Sequence, residues 1–590
     1  MNAYSDNISL YQKQLQDNQK KFNLVSLLRL LSVFLVLFSV YYYFNKQEDF
    51  YLYLCFISLV AFVFLMKIHS KLSFQKQLYT ALLQINNAEI GFLKREKNPF
   101  ENGNEFHEPQ HPYSYDLDIF GEHSLFQHLN RTATFIGKKT LANLLLNPLT
   151  EKEIIANQNS IKELKEKLEF RQHFLALAQI GKDSKMAYEN LLKWNSTPPQ
   201  QFSKFAQFYL YAGPILFLGI VIGYFLTSNT LLIKLVTYVF IANLMFLGYF
   251  IKKIKAEIAP TYEIDRIINQ YSLLVQAIEN QTFASAKLQT LQKQLYFENT
   301  KASTHLKQLS ELFSKMDSIA NLITASLFNG TFLYNAHILK ALWQWKAKHA
   351  TALEDWLNII GEFEMLNSLA NYSYNNPDFV FPELNSNFNI SFDNLSHPLL
   401  NPQTRIGNDV RFQPESFIIL TGSNMSGKST FLRSLGINMV LGCIGAPVCA
   451  TKAQLHPLPI LVSMRLSDSL SDSESYFFAE IKRLHQIMEA LNQQPAFVLL
   501  DEILRGTNSD DKRNGTIEVI KKIISKNAIG AIATHDVEVC LTTNAFPEKL
   551  KNQCFEAQII ANELHFDYCL RDGICQNKSA TFLMQKMGII

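Results

Sequence analysis

Four stretches of the chain are apolar over the length that crosses the hydrocarbon core of a bilayer. A helix needs about 20 apolar residues to do so. Connectors of 5 and 4 residues join the stretches in two pairs, and Arg29 and Lys234 are the charged residues inside them. The pattern therefore predicts two transmembrane helical hairpins. The four stretches are residues 24–44, 50–66, 205–226 and 231–251.

Lysines flank the outer ends of both hairpins and indicate how they are oriented. Lys20 and Lys21 precede the first hairpin, Lys67 follows it, and Lys252 and Lys253 follow the second. Flanks rich in Lys and Arg stay in the cytoplasm. The sequence thus predicts a multi-pass protein of the inner, cytoplasmic membrane, with the rest of the chain on the cytoplasmic side. Buried helices of a large soluble core are the alternative interpretation of both pairs.

The pattern of polar and apolar positions changes again outside these stretches. Residues 93–112 are polar and contain Pro and Gly, as linkers do. Helical spacing of apolar positions resumes on both sides of the second hairpin. Residues 262–295 lack Pro and Gly, which favours extended lever helices. Past residue 376, short β-rich runs alternate with helices, which is typical of an α/β domain.

A phosphate-binding loop follows the predicted strand "SFIIL". Its pattern is G-x-x-x-x-G-K-[ST], in which the glycines let the backbone N–H groups and the next helix N-terminus face phosphates. Lys428 is expected to meet the β and γ phosphates of ATP, and Ser429 to ligate Mg²⁺. The predicted nucleotide-binding residues here are Gly422, Ser423, Asn424, Met425, Ser426, Gly427, Lys428, Ser429 and Thr430.

Two further predicted strands bring carboxylates and a histidine toward this loop. "AFVLLDE" ends in Asp501 and Glu502, and "AIGAIATH" ends in His535. Strand ends of open α/β sheets carry the chemistry. Asp501 is therefore expected to hold Mg²⁺ together with Ser429, Glu502 to orient and deprotonate the attacking water, and His535 to sense the γ-phosphate. ATP and Mg²⁺ are the predicted cofactors of a P-loop ATP hydrolase.

Charge and cysteine content add little to the prediction of function. Lys and Arg number 55 and Asp and Glu 52, so the balance of +3 gives no sign of a surface that coats nucleic acid. The 7 cysteines are odd in number and form no paired CxxC. They indicate reduced thiols and make a zinc site or a disulfide framework unlikely to be the basis of the fold.

The order of the motifs resembles the ATPase domain of MutS proteins, the mismatch-repair relatives of the ABC ATPases. "TGSNMSGKSTFLRSLG", "SESYFFAEI", "LLDEILRGTNSDD" and "ATHD" carry the resemblance, and "SLFQHLNRTATFIGKKTLANLLLNPL" resembles the helical core of the family. The resemblance implies an ABC-type fold and a composite homodimer formed through the ATPase heads. It also implies DNA as a possible partner.

Individual roles follow from the same resemblance. It implies that Ser475, with Phe477 and Glu480 alongside, belongs to the segment that completes the ATP site of the partner subunit. It places Tyr568 where the family stacks a ring on adenine. Arg405 and Ile406 occupy the position of the opposite ring. The loop 505–509 would communicate between the two ATP sites.

The expected fold is therefore multidomain: a mostly α-helical lever and core with transmembrane helical hairpins, plus a C-terminal α/β P-loop ATPase domain. The expected boundaries are 1–76 (first hairpin), 77–114 (helix and polar linker), 115–204 (MutS-like helical core, first part), 205–252 (second hairpin), 253–375 (helical lever and core, second part) and 376–590 (MutS-type ATPase domain).

The mismatch-reading domain of the family is not expected here, because hairpin and linker stand where it would be. "GEFEML" at 361–366 contains Phe and Glu, but it lies in a helical run and is interpreted as coincidental. The sequence thus predicts a membrane-anchored MutS-type ATPase that acts on DNA without an evident mismatch wedge. An ABC-type transporter or membrane-remodelling ATPase with no DNA role is the alternative. A scaffold that binds ATP without turnover is a third reading.

Overall fold

The computed structural model describes residues 2–96, 98–258, 261–317, 322–413, 416–423, 425–465, 476–560, 563–575, 584 and 589. Most of the described chain is helical, and apart from a short strand pair within residues 296–301 the strands lie beyond residue 382. The helices up to the first sheet are α1 Asn2–Lys46, α2 Asp49–Leu93, α3 Leu125–Leu129, α4 Phe135–Leu146, α5 Glu151–Glu166, α6 Leu168–Gly181, α7 Lys185–Ser196, α8 Lys204–Thr227, α9 Thr230–Ile258, α10 Thr261–Glu279, α11 Ala286–Lys293, α12 Ala302–Asp317, α13 Leu322–Phe332 and α14 Tyr334–Asn375.

Helices α1 and α2 form one long antiparallel hairpin. Each has 45 residues, about twice the length of its apolar stretch, so a polar helical stem continues beyond the apolar part. The stem halves pair side by side: Asn18 Nδ2 donates to the Leu72 carbonyl at 2.9 Å, and the rings of Phe22 and His69 lie 4.3 Å apart. The segment predicted as helix and linker thus begins inside α2, which ends at Leu93.

The foot of this stem is fixed to the helical core by a buried polar cluster. Glu89 of α2 pairs with Arg131 at 2.5 Å, and both side chains are at most 5% exposed. Asn371 of α14 donates to Glu89 at 2.9 Å, and Tyr4 of α1 donates to Asn375 at 2.8 Å. A buried ion pair is retained only when hydrogen bonds satisfy its remaining atoms. The cluster therefore holds the stem to the C-terminal end of α14.

The second hairpin contacts the opposite end of the same helix. Asn243 of α9 is buried and donates to the Gly330 carbonyl of α13 at 2.8 Å. The His337 ring, near the start of α14, lies 3.1 Å from the Leu210 carbonyl of α8. α14 runs unbroken for 42 residues. It therefore connects the two hairpins, because its start contacts the second hairpin and its end contacts the first.

The run predicted to form extended lever helices is divided in the structure. α10 ends at Glu279 and α11 begins at Ala286. The Glu163 carboxylate of α5 accepts from the backbone N–H groups of Ala284 and Ser285 at 2.9 and 2.7 Å, and Ser285 caps α11. Backbone donors satisfied by a distant carboxylate replace the helical ones there. The long helix of this part is α14 instead.

The described strands form three sheets. The strands are β1 Tyr296–Phe297, β2 Thr300–Lys301, β3 Glu383–Leu384, β4 Ser391–Leu395, β5 Asn408–Arg411, β6 Phe417–Gly422, β7 Lys452–Leu455, β8 Ile460–Ser463, β9 Phe497–Asp501, β10 Ile529–Ala533, β11 Leu550–Ile560 and β12 Glu563–Asp572. β1 and β2 pair with each other just before α12, and the two larger sheets follow α14. The larger sheet has the order β8-β9-β10-β6-β11-β12, in which only β11 and β12 pair antiparallel. The smaller has the order β3-β7-β4-β5. Helices α15 Lys428–Cys443, α16 Tyr476–Gln493, α17 Ser509–Ser525 and α18 Val537–Cys540 complete the C-terminal part.

The predicted strands β6, β9 and β10 are confirmed, and they are adjacent. Every residue of the three is buried, which explains their uninterrupted apolar runs. The register aligns Leu420 with Ala533 and Ala533 with Asp501. The carboxyl ends of all three strands therefore meet at one edge of the sheet.

The "GEFEML" segment belongs to the interior of α14, in agreement with its interpretation as a coincidence. Phe363 is fully buried, and Glu364 is 1% exposed. The Glu364 carboxylate accepts from the backbone N–H groups of Ala133 and Thr134 at 2.8 and 3.2 Å and from the Thr134 hydroxyl. It thereby satisfies donors at the start of α4. Burial raises the pKa of Glu364 to about 7.

This raised pKa predicts a pH dependence of stability. Between the ordinary value of 4.5 and about 7, the folded chain holds a proton that the unfolded chain has released. Unfolding free energy should therefore fall as pH rises through that window, by up to about 3 kcal/mol. Glu364→Gln should remove this part of the slope in denaturant titrations at pH 5 and 8 in detergent.

The matched control is Glu362→Gln, two residues away on the same helix. Glu362 bridges to Lys287 at 2.7 Å and lies partly exposed. Its variant should keep the wild-type slope. Equal slopes in wild type and both variants would show that Glu364 does not titrate in this range.

Candidate functional site

The phosphate-binding loop lies between β6 and α15 and depends on two glycines. Gly427 has φ +102° and precedes α15, and a Cβ there would lie 3.1 Å from the Tyr568 ring. At Gly422, a Cβ would lie 2.6 Å from Ser426 Oγ and 2.8 Å from the Phe555 carbonyl. Side chains at these positions would close the loop. Asn424 lies outside the described residues.

Lys428 is the first residue of α15 and points back into the loop. Its Nζ donates to the carbonyls of Gly422 and Ser423 at 2.8 and 3.1 Å and lies 3.5 Å from His535 Nε2. Burial lowers the pKa of Lys428, although Glu502 and Asp501 act in the opposite direction. A buried ammonium held by two carbonyls is positioned to exchange them for phosphate oxygens.

Ser429 and Asp501 come together as the sequence predicted for a shared metal ion. The Ser429 hydroxyl donates to Asp501 Oδ2 at 2.6 Å. Asp501 Oδ1 is buried and has no hydrogen-bond partner among the described residues, and the same is true of Ser423 Oγ and Ser426 Oγ. Such orphaned oxygens are costly unless a ligand satisfies them. A hydroxyl and a carboxylate are oxygen ligands of the kind that Mg²⁺ prefers, so the residues fit that ion and a phosphate beside it.

Glu502 and His535 form a close pair beside Lys428. His535 Nε2 lies 2.6 Å from Glu502 Oε1, and Arg505 Nε lies 3.7 Å from Glu502 Oε2. The hydrogen bond with His535, with the charges of His535, Arg505 and Lys428, lowers the pKa of Glu502 to about 2. The Glu502 backbone is in the left-handed region, with φ +49°. Strain of this kind is concentrated at functional sites.

A cavity of about 560 Å³ opens beside the loop. Tyr568, Arg405 and Ile406 line it, as do the loop and Glu502. Asn408 holds the tyrosine in place, since its Nδ2 donates to the Tyr568 carbonyl at 3.0 Å and its Oδ1 accepts from the Leu570 N–H at 2.7 Å. The sequence did not single out this asparagine. The predicted base-binding residues thus share one cavity with the phosphate loop.

Met425 and Thr430 also line the cavity. The Met425 side chain is 79% exposed, and its backbone has φ +68°. Thr430 is in the first turn of α15. All predicted nucleotide-binding residues that the structure describes, except Gly422, therefore line this single cavity, and Gly422 accepts from Lys428 at its edge.

The segment assigned to the partner's site is described only in part. Ser475 lies outside the described residues. Glu480 is 2% exposed and accepts from the N–H groups of Leu504 and Arg505 at 2.5 and 3.1 Å. It therefore acts within its own chain, where it joins α16 to the loop that follows the two carboxylates.

A sequence signal for this role of Glu480 was present. Glu480 shares one helical face with the buried Leu484, Ile487 and Leu491. A carboxylate on an apolar face needs internal donors. Gly506 reinforces the same joint, because a Cβ there would lie 2.8 Å from Phe477 Cβ.

Comparison with known proteins places this site in a family. A model of the family described as MutS domain V matches residues 418–588. Residues 418–588 form a MutS domain V. This domain contains the phosphate loop, Asp501, Glu502, His535 and Tyr568, so the whole cluster described above, apart from Arg405 to Asn408, lies within the matched residues.

Three curated relatives match between 32% and 43% of the chain. The chain is 29% identical over 235 residues to the DNA mismatch repair protein MutS of Thermotoga neapolitana, covering 38% of this chain and 28% of the relative. It is 25% identical over 264 residues to the MutS protein homolog 4 of Homo sapiens, covering 43% and 27%. It is 32% identical over 199 residues to the DNA mismatch repair protein MutS of Methanococcoides burtonii, covering 32% and 22%. The chain spans about a quarter of the length of these curated relatives.

Two substitutions should separate nucleotide binding from turnover. Glu502→Gln keeps the size of the side chain and removes the charge that orients water, so ATP affinity should persist while turnover falls by about 10²-fold or more. Lys428→Ala removes the buried ammonium and should weaken ATP binding itself. Labelled-nucleotide binding and phosphate release measure the two effects.

Lys522→Ala is the matched control, since Lys522 is exposed on α17 away from the cavity. It should leave both binding and turnover at wild-type values. Wild-type turnover in Glu502→Gln would contradict the role assigned to the Glu502 and His535 pair.

Proposed function

We propose that this protein is a membrane-anchored ATPase of the MutS family that hydrolyses ATP in a composite dimer and acts on DNA. The observation that carries the enzymatic part is that Lys428, Ser429 and Glu502 line one cavity. Asp501 is bonded to Ser429, and His535 is paired with Glu502. A scaffold that only binds ATP would not require the second pair.

The residues divide the work of phosphoryl transfer to water. Lys428 and the loop N–H groups bind phosphate oxygens. Ser429 and Asp501 would hold Mg²⁺, which neutralises charge on the β and γ phosphates when bound. Glu502 accepts a hydrogen bond from the attacking water. Because its pKa is about 2, it is a weak proton acceptor, and its main contribution is to aim the water at the γ-phosphorus.

The His535 ring completes the arrangement. It lies between Glu502 and Lys428, so it fixes the carboxylate and is placed beside the γ-phosphate position. As the water oxygen bonds to the γ-phosphorus, the bond from that phosphorus to the β-phosphate oxygen breaks, and the water proton passes to the released phosphate. ADP and inorganic phosphate are the products.

A second copy of the chain is expected to close the site. The segment around Ser475 would reach across to the partner's γ-phosphate, as the family resemblance implies. Glu480 and the contact of Gly506 with Phe477 join the base of that segment to the loop after Glu502. Closure by the partner would therefore affect the position of the loop that follows the catalytic carboxylates.

Anchoring in a membrane is supported by the surface of the four apolar helices. Only 6% to 17% of the most apolar 18-residue stretch of each helix is buried in the protein. Exposed large side chains include Phe34, Phe56, Phe225 and Tyr249. Each square ångström of apolar surface left in water costs about 25 cal/mol, so long bare helices of this kind need a lipid environment. This exposure weighs against helices buried in a soluble core.

The proposal that DNA is the cargo is based on the relatives, two of which are DNA mismatch repair proteins. The chain covers only about a quarter of those proteins, so the activity of the whole relative is not carried over directly.

The lever that would transmit ATP-driven motion is α14, which is tied to the first hairpin at one end and to the second at the other.

Membrane anchoring predicts resistance to alkaline extraction. We expect the full chain to sediment with membranes after washing with alkaline carbonate and to enter solution only with detergent, because two hairpins bury their apolar faces in lipid. Immunoblots of pellet and supernatant measure this. Recovery of the chain in the carbonate supernatant would exclude integral insertion.

A DNA role predicts binding that weakens with salt. The full chain in nanodiscs with ATP should retard duplex DNA, and affinity should fall on the order of tenfold or more between 50 and 200 mM salt, because phosphate contacts release counterions. Homoduplex and single-mismatch duplex should bind alike, since no wedge is assigned. Empty nanodiscs are the control.

Retention of ATPase activity with no retardation of either duplex would remove DNA as the cargo. It would leave a transporter or membrane-remodelling ATPase.

A further inference from the structure

The first hairpin carries a cavity with both polar and apolar lining residues where its stem meets the apolar part. The cavity measures about 450 Å³ and lies between α1 and α2. Arg29 contributes from α1, and His69, Ser70, Ser73 and Gln77 contribute from successive turns of one face of α2. This site lies far along the chain from domain V and has no part in the nucleotide chemistry.

Arg29 is the unusual member of this group. It stands five residues inside the apolar stretch of α1, about 7 Å along the helix. Its guanidinium carbon lies 5.7 Å from the centre of the Phe62 ring, and its buried Nε has no hydrogen-bond partner in the described part of the chain. A charged side chain at this depth is costly, and as a rule it is paired or functional.

The direction of the helices brings donors toward one point. Side chains lean toward the N-terminus of their helix, so Arg29 leans toward the stem, whereas those of α2 lean toward the apolar end. Ser26, Ser32 and Ser39 of α1 bond to carbonyls of their own helix. Among the described residues, no hydrogen-bond partner is found for the hydroxyls of Ser70 and Ser73. These donors are available to a ligand.

The surrounding charge selects an anion. Residues 18–47 and 50–88 contain no Asp or Glu, whereas Lys20, Lys21, Lys67, Lys71 and Lys76 stand near the boundary. Lys76 Nζ lies 5.4 Å from the centre of the Phe22 ring, on the stem side of Arg29. A guanidinium with hydroxyl donors is the chemistry that recognises a phosphate.

We propose that this cavity binds the phosphate of an anionic phospholipid headgroup in the cytoplasmic leaflet. The proposal rests on the membrane anchoring put forward above. Arg29 supplies the charge, Ser70 and Ser73 supply hydrogen bonds, and the lysines at the boundary attract the anionic leaflet. Lipid is favoured over a soluble phosphate because the cavity adjoins the apolar stretch, where acyl chains would lie.

The test is retention of lipid by the full chain purified in mild detergent from vesicles that contain equal phosphatidylcholine and phosphatidylglycerol. Wild type should retain phosphatidylglycerol in preference, as measured by native mass spectrometry. Arg29→Gln should reduce that retention about tenfold, the loss expected for one charged hydrogen-bonding partner. Ser70→Ala with Ser73→Ala should reduce it without a change of charge, which covers the case that Arg29→Gln does not fold.

Lys71→Gln is the matched control, because it removes the same charge near the same boundary, at an exposed residue that does not line the cavity. It should lose far less lipid than Arg29→Gln, because Lys71 contributes only to the diffuse charge at the boundary. Equal loss in Lys71→Gln and Arg29→Gln would reduce the effect to diffuse surface charge and overturn the site, as would equal retention of both lipids by wild type.

Displacement of the lipid by millimolar inorganic phosphate would reassign the cavity to a soluble anion. Failure of anchoring is seen separately, because a chain released by alkaline carbonate would undo the proposed function before any lipid is measured.

Discussion

The hydrogen bond between Ser429 and Asp501 is the interaction on which the site depends. It joins the first turn of α15 to the end of β9, two strands away from β6 in the same sheet. Since β6, β10 and β9 are parallel and in register, the same edge also receives His535 and Glu502. The chemistry is thus a consequence of strand order: any other order would separate the phosphate loop from its carboxylates.

The strand ends at the site could be predicted from the sequence, whereas other parts of the structure could not. An apolar run that ends at Asp501 and Glu502 predicts a buried parallel strand with functional residues at its end, and the glycine pattern predicts the loop. The break between α10 and α11 carried no such signal, because the carboxylate that stabilises it is Glu163, more than a hundred residues earlier. The Asn408 clamp on Tyr568 was hidden for the same reason. Local pattern predicts elements, and long-range side-chain partners decide where they end.

The family resemblance implies one role for Glu480, and the structure shows another. The resemblance places this residue beside the segment that meets the partner, whereas the geometry gives it two backbone donors of its own chain. Both statements hold together if the partner acts on a segment that is already joined to the catalytic loop. Burial raises the pKa of Glu480, while the two N–H groups oppose that rise. A carboxylate in this balance is a rigid link between α16 and the loop.

The stem of the first hairpin is connected to the nucleotide cavity by a series of contacts. Its foot is fixed by the buried Glu89 and Arg131 pair and by Asn371, a joint in which removal of one partner would leave an uncompensated charge at a cost of about 3 to 5 kcal/mol. The next residues along the chain approach the nucleotide cavity, since Arg95 donates to the carbonyls of Leu399 and Leu400 at 3.2 and 2.5 Å. Leu400 lines that cavity. A continuous set of contacts therefore leads from α2 to the wall of the ATP site, and a change at either end has a rigid route to the other.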